Sequence, residues 1–411
     1  TESDRKMNMK PREGGLTPDN GRSETPPGLS PSTALLFAVA CGLSVANVYF
    51  AHPLLDAMAR DLSIDPGSVG IVVTVTQVGY ALGLFFIVPL GDLLDRRRLI
   101  VAQAVVSSLA LVAVGFSSNT AMLLASLAAV GLLAVVVQVL VAYAADLAVP
   151  SERGRAVGTV TSGVILGILL ARFVSGLVAD IAGWRSVYVM SAVLTLAMAA
   201  ILFRILPAQE PNRPRTSYPR LLGSVLLLLL VDEPLLRVRA VFAMLIFASF
   251  NVLWAPLVLP LAAPPFSLSH TEIGLFGLAG VVGALGARWT GMLVDRGRGQ
   301  LVAGLCLLLM TAAWLPIAFM GMSLWWLVLG IIMLDLAIQA VHVTSQSLLF
   351  ARRPDARSRL VGGYMIFYSL GSALGSIAST MTYAAWGWTG VCVLGAALGL
   401  TALAIWAATL G

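Results

Sequence analysis

Charge is scarce in this sequence: Asp, Glu, Lys and Arg together make up 11% of its 411 residues, less than half the roughly 25% of an ordinary soluble domain. Hydrophobic residues reach 58%. That balance excludes a water-soluble fold, because charge has been removed from long stretches as a hydrocarbon solvent requires. Cysteine is also scarce. Cys41, Cys306 and Cys392 each lie inside an apolar run, which excludes a disulfide framework or a zinc site and leaves three small core hydrophobes. No strand–glycine loop–Lys-Ser/Thr sequence is present, so there is no phosphate cradle and no ATP-driven pump. The signatures H-E-x-x-H and G-x-S-x-G are missing, as is a paired-Asp site. The chain reads as no enzyme, with no cofactor and no metal. A sequence pI near 9.5 and a net charge of +6 do not point to nucleic acid, because the basic residues are dispersed through loops.

What is present is a series of apolar runs near twenty residues long. In lipid every backbone group must bond internally, so the choice lies between helices and a closed barrel. Barrel strands alternate over about ten residues, and these runs do not alternate. They predict helices over residues 33–55, 69–90, 99–117, 120–145, 155–179, 185–206, 238–262, 271–293, 300–320, 323–350, 359–381 and 387–409. Residues 1–31 are polar and have no apolar signal-peptide core, and are expected to form a disordered tail. Residues 32–206 and 238–411 then form two six-helix sets, joined by a linker over 207–237 whose apolar stretch Leu221–Val231 is too short to span and is expected to be an interfacial helix. Of the 26 Lys and Arg, 22 fall in the tail, the linker and the loops on one face, Arg60 and Arg185 on the other, and Arg172 and Arg288 inside helices. The positive-inside rule places both termini in the cytoplasm.

The two sets repeat each other. Gly91-Asp92-Leu93-Leu94-Asp95-Arg96 closes the second helix, and Gly291-Met292-Leu293-Val294-Asp295-Arg296 closes the eighth, 200 residues later. Arg153-Gly154-Arg155-Ala156-Val157-Gly158 opens the fifth helix with Gly183-Trp184 after it. Arg357-Ser358-Arg359-Leu360-Val361-Gly362 opens the eleventh, with Gly387-Trp388 after it. Parallel repeats around a midplane site are a transporter architecture.

With these motifs the chain resembles the major facilitator superfamily over residues 33–409, and within it the bacterial sugar-efflux and drug/proton antiporter branches. The loop after the second helix resembles the family's G-x-L-x-D-R-x-G-R-R motif, but runs Asp95-Arg96-Arg97-Arg98-Leu99 without the Gly-Arg insert. Two branch features are absent: Leu127-Ala128-Ala129 stands where an Arg is usual on the fourth helix, and Ala171-Arg172 where Gly-Pro is usual on the fifth. The resemblance implies an all-α membrane protein of twelve transmembrane helices in the major facilitator fold. It implies a monomer in the bacterial inner membrane that moves a small organic substrate by alternating access, with protons as the coupling ion and export as the expected direction. The loss of Gly-Pro and the arginine in its place leave proton-coupled uptake of an organic anion as the alternative. A non-transporting membrane sensor is an alternative of another class.

The resemblance also implies a cytoplasmic gate. There the family's motif Asp caps the eleventh helix and its Arg pairs with an acid on the fourth; Gly91, Asp95, Arg96, Asp146, Asp295 and Arg296 occupy the matching places here. On the tenth helix, Asp335, Gln339, His342 and Gln346 are spaced i, i+4, i+7, i+11 and share one face. A carboxylate inside a span must face a cavity or a partner, which makes Asp335 the candidate proton carrier, with His342 beside it. Arg172 lies among small residues and is a candidate for an anionic substrate or for pairing with Asp335. Arg288 is read as an ion pair or snorkel near the end of its helix. Asn47, Gln77, Tyr80, Gln138, Asn251, Trp254, Tyr364 and Tyr368 complete the expected polar and aromatic cavity. Gly154, Gly158, Gly163 and Gly167 are read as helix-packing positions.

Overall fold

The computed structural model describes residues 30–149, 152–207, 217–227, 234–293, 298–352 and 357–409, with the side chains at 92, 225–226, 284–293, 350–352 and 357–359 outside that description. Asp295 and Arg296, the side chain of Arg288 and the expected disordered tail up to residue 29 therefore lie outside the described residues.

All regular structure among the described residues is helical. The chain runs through α1 (Pro31–Tyr49), a 3-10 turn (His52–Leu54), α2 (Leu55–Leu62), α3 (Ile71–Phe86), α4 (Arg96–Gly115), α5 (Thr120–Ala134), α6 (Val136–Leu147), α7 (Arg153–Ala182) and α8 (Trp184–Ile205). The linker contributes α9 (Tyr218–Leu227). Then follow α10 (Pro234–Trp254), α11 (Val258–Ala262), α12 (His270–Leu293), α13 (Gly299–Ala312), α14 (Trp314–Ala318), α15 (Leu324–Arg352) and α16 (Arg357–Ala408). Local chemistry sets the starts. Ser30 accepts from the Thr33 N–H at 3.1 Å with Pro31 in the first turn of α1, Asp95 accepts from the Arg97 N–H at 3.0 Å, and Asn119 from the Met122 N–H at 2.9 Å. Helix α12 carries its own capping box, in which Ser269 N–H donates to Glu272 at 2.8 Å and Glu272 N–H to Ser269 Oγ at 3.2 Å.

Ten stretches among the described residues are long and apolar enough to cross a membrane. The last, Leu360–Ala408, contains both of the final two expected helices. They meet at Gly387, whose φ of 61° breaks the helical path within α16. Gly183, with φ 83°, makes the same break between α7 and α8. Both glycine–tryptophan pairs of the sequence repeat thus turn the chain from one long helix to the next, through a backbone region that favours glycine. The first apolar run is longer than expected, since it continues through the His52 turn and α2 to Leu62.

The surface of the bundle is apolar. Leu35, Leu109, Val193, Leu194, Leu315, Leu374 and Val393 are among many large side chains left exposed, a covering that only a bilayer satisfies. Inside, small residues let helices touch. A Cβ on Gly163 would collide with the Ala38 carbonyl of α1, and one on Gly167 with the Gly42 carbonyl, so α1 and α7 pack backbone to backbone. Gly154 and Gly158 differ from the packing role expected of them, because a Cβ on either would meet nothing within 4 Å; they lie where α7 has left its neighbours.

The helices before α9 and those after it meet along two seams, α7 against α12 and α3 against α16. Both seams tighten toward one end of the bundle. There Gly70 abuts the Ser376 carbonyl and Gly176 the His270 carbonyl, the Gly70 N–H donates to Thr380 at 3.2 Å, and Thr74 donates to the Ala373 carbonyl at 2.8 Å. We call this the far end. The opposite, terminal end is where α1 begins and α16 finishes, and there Gly154, Gly158 and Gly362 face open space. Among the described residues the two sets press together at the far end, and these three glycines at the terminal end face open space.

Candidate functional site

The seams converge on a buried polar cluster. Arg172 on α7 is 2% exposed and Asp335 on α15 is 5% exposed. Their charges face each other across the junction of the two sets, and both adjoin Trp254 of α10. They stop short of a direct ion pair. Asp335 Oδ1 and Arg172 Nε and Nη2 have no hydrogen-bond partner among the described residues, and the Trp254 indole N–H approaches Asp335 without completing a bond. The Asp335 carboxylate lies against Gly280 of α12, where no side chain would fit.

Aromatic rings hold the guanidinium. Its carbon lies 3.9 Å from the Trp254 ring centre, 5.2 Å from Phe250 and 5.4 Å from Tyr49. Such cation–π contacts contribute about 2 kcal/mol or more when desolvated, which offsets part of the several kcal/mol lost on burying a charge. The Tyr49 hydroxyl meets the Tyr368 hydroxyl, joining α1 to α16. His52 places Nε2 3.2 Å from Asn251 Oδ1, and that amide also accepts from Ser376 at 3.2 Å. Farther along α15, His342 Nδ1 is 3.0 Å from the Tyr364 hydroxyl, and the imidazole packs edge-on to Phe247. A small cavity adjoins the cluster, lined by His52, Pro53, Arg172, Trp254, Leu257, Val258 and Ile273.

Of the residues expected to form the cavity, Arg172, Asn251, Trp254, Asp335, His342, Tyr364 and Tyr368 come together here. Gln339 and Gln346 are half-buried on the same helix as Asp335. Asn47 accepts from Ser191 at 2.5 Å in the α1–α8 contact. Gln138 donates to Tyr80 at 3.4 Å between α6 and α3, and Tyr80 lies near enough to Tyr49 and Tyr368 to interact with both. Gln77 is buried with neither amide atom bonded. The site also holds residues the sequence did not single out: Tyr49, His52, Phe247 and Phe250. His52 was the one with a signal, since the chain has only three histidines and this one precedes a proline at a helix end.

A second polar cluster ties the two sets at the far end. His270, the first residue of α12, places Nε2 3.0 Å from Asp56 of α2 and Nδ1 2.9 Å from Asp180 of α7. Asp180 also accepts the His270 N–H at 3.2 Å, the Thr271 N–H at 2.8 Å and the Thr271 hydroxyl at 2.6 Å, so it caps α12 from the other set. Arg60 pairs with Asp56 at 2.8 Å. The bond to Asp56, and then the contact with Asp180, hold the His270 pKa above its ordinary value. At the terminal end, Arg96 pairs with Asp146 and donates to the Gly91 carbonyl at 3.1 Å. Asp95 caps its own helix α4, with Arg98 at 3.6 Å; the side chains at the start of α16, the helix that the resemblance has it cap, lie outside the described residues.

A bilayer-covered helical bundle, with opposite charges buried where its two sets meet and those sets locked together at the far end, has the build of a membrane transporter. The sequence comparisons agree. The model of the Major Facilitator Superfamily matches residues 36–355 and 240–411, and the chain belongs to that family. It is 46% identical over 378 residues to the transporter YgaY of Escherichia coli (strain K12), covering 92% of this chain and 95% of that one. It is 32% identical over 400 residues to SCO4007 of Streptomyces coelicolor, also named as a transporter, covering 95% and 92%. In fold it is similar to a bacterial homologue of the human lysosomal transporter Spinster in an inward-facing, occupied conformation, with a TM-score of 0.73, 16% identity and coverage of 91% and 95%. The chain is a multi-pass transporter and not an enzyme.

Proposed function

We propose that this chain is a proton-coupled secondary transporter that carries a small organic solute across a bacterial inner membrane by alternating access. In this reading its spans number twelve, in two parallel repeats of six, and both termini are cytoplasmic. The terminal end is then the cytoplasmic face, and the conformation described is inward-open. The observation that carries the proposal is the Arg172–Asp335 pair. Two opposite charges are buried without a completed ion pair, at the contact between the sets that alternating access must move. Asp335 is the proton carrier, and Arg172, Trp254 and the surrounding rings receive the solute. The far-end cluster around His270 is the outer gate. Gly91, Asp95, Arg96 and Asp146, with Asp295 and Arg296, belong to the inner one.

Export is the direction that the resemblance to efflux branches supports. The placement of Arg172 favours the second reading, uptake of an organic anion, because its free donors line the cavity. The test is proton flux. In liposomes carrying an internal pH dye, cationic, neutral and anionic organics are added under an imposed pH gradient. Substrate-dependent proton movement is expected, and it should vanish in Asp335→Asn. Proton-driven flux of normal size in that variant would remove Asp335 from the mechanism.

A further inference from the structure

We infer that the cavity beside Arg172 is a seat for the acidic head of an anionic substrate, and that this anion binds together with a proton on Asp335. The inference rests on the reading of the Arg172–Asp335 cluster as the transport site, and it names what that site takes.

The unpartnered polar atoms on the residues that line this cavity are donors, and an unpartnered acceptor nearby, Asp335 Oδ1, belongs to the carboxylate that faces Arg172. Arg172 offers Nε and Nη2 and Trp254 offers its indole N–H, and none has a partner among the described residues. The His52 side chain stands beside them, with Nε2 on an amide oxygen. The other lining residues are Pro53, Leu257, Val258 and Ile273, which supply no acceptor side chain. A buried guanidinium with unmet donors is costly to keep, and the ligand that relieves it has oxygen acceptors and negative charge. A planar carboxylate suits two guanidinium N–H groups best.

Charge sets the coupling. Without ligand, the Arg172 cation faces the Asp335 carboxylate. A bound anion takes that cation as its counter-charge and leaves Asp335 a second negative charge in the same dry site. One proton on Asp335 restores the balance. Anion and proton therefore enter together, and the site favours movement of both in one direction over their exchange.

The experiment uses the full-length protein in lipid nanodiscs and three probes of one shape: benzoate, benzamide and benzylamine. Binding is read from fluorescence and calorimetry, and proton uptake from pH change in weak buffer. Benzoate is expected to bind about 10- to 100-fold more tightly than the other two, a preference that Arg172→Gln removes. Each benzoate bound should take up close to one proton in the wild type and none in Asp335→Asn. Benzamide binding as well as benzoate, no benzoate binding to folded wild type at millimolar concentration, or Arg172→Gln retaining the preference each overturns the seat. So does benzoate binding without proton uptake. Arg172→Lys, which keeps the charge and loses the planar fork, guards against misfolding and should bind benzoate more weakly than wild type while still preferring it to benzamide. Failure of the seat differs from failure of the site. Flux of any organic probe that still depends on Asp335 but ignores Arg172 rejects the seat alone, and flux indifferent to both rejects the transport site as well.

Discussion

Replacing His270 by alanine cuts the only described side chain that bonds carboxylates of both α2 and α7 from the other set. Two bonds to charged groups are lost, at 3.0 Å to Asp56 and 2.9 Å to Asp180. Each such bond contributes about 1.5–3 kcal/mol where it is sheltered. Some of this is recovered, because Asp56 keeps Arg60 and Asp180 keeps the Thr271 N–H and hydroxyl. The closed far end should therefore weaken by about 2–3 kcal/mol, or 30- to 150-fold in the ratio of closed to open. The effect depends on pH. The pKa of His270 is raised when the far end is closed, so its contribution is fully present below the ordinary histidine value of about 6.5. It is lost as pH rises through the raised value, where the ring can no longer donate to both acids. The assay is alkylation of Val258→Cys by a membrane-impermeant maleimide, with Cys41, Cys306 and Cys392 replaced by alanine. Val258 is 1% exposed and lines the cavity beside Arg172. His270→Ala should label faster. Dividing the rate with His270 intact by the His270→Ala rate at each pH cancels thiol ionisation, and the quotient should climb toward one as pH rises. A quotient of one at all pH values, or one that falls as pH rises, would refute the reasoning.

Three further outcomes follow from the packing. Gly163→Val drives a side chain into the Ala38 carbonyl and should destabilise the protein by about 3 kcal/mol or more, read as a lower unfolding temperature in detergent, while Gly158→Val, which meets open space, should not. Gly280→Ala places a methyl group against the Asp335 carboxylate; proton-driven flux should fall severalfold, and in an Asp335→Asn background the same change should have no further effect on flux. Arg96→Ala removes a pair whose Asp146 side chain is 56% exposed, so stability should change by no more than about 1 kcal/mol, and the fraction of protein open at the terminal end, read by spin-label distances, should rise modestly.

Much of this fold was written in the sequence because lipid makes a simple demand. A span needs about twenty apolar residues, and the runs supplied them at nearly every place where the structure has a long helix. The Gly183-Trp184 and Gly387-Trp388 pairs were visible as repeats, and the structure gives both glycines positive φ. Asp335 and Arg172 stood out for the same reason, since charge inside a span needs a partner. Facing Asp335 was one of two readings of Arg172, and the sequence alone could not choose it, because α7 and α15 are far apart in sequence and the period of one helix says nothing of its neighbour. Asn47 shows the converse: a polar residue on a helix expected to line the cavity turned instead to Ser191 of α8. Trp254 of the aromatic box was expected at the cavity, but Tyr49, Phe250 and the far-end histidine escaped notice, because their chemistry emerges only when residues from several helices meet. Neither Asp56, Asp180 nor His270 sits in a recognisable motif.

The start of α12 has two sets of acceptors. One is the Ser269–Glu272 box of its own chain. The other is Asp180, lent by α7. When the far end parts, the borrowed carboxylate leaves and the resident box stays. On the alternating-access reading the helix end stays capped while the far end is open, and separation breaks a contact between two folded surfaces without unwinding either. A joint built this way can open and close many times with its parts unchanged.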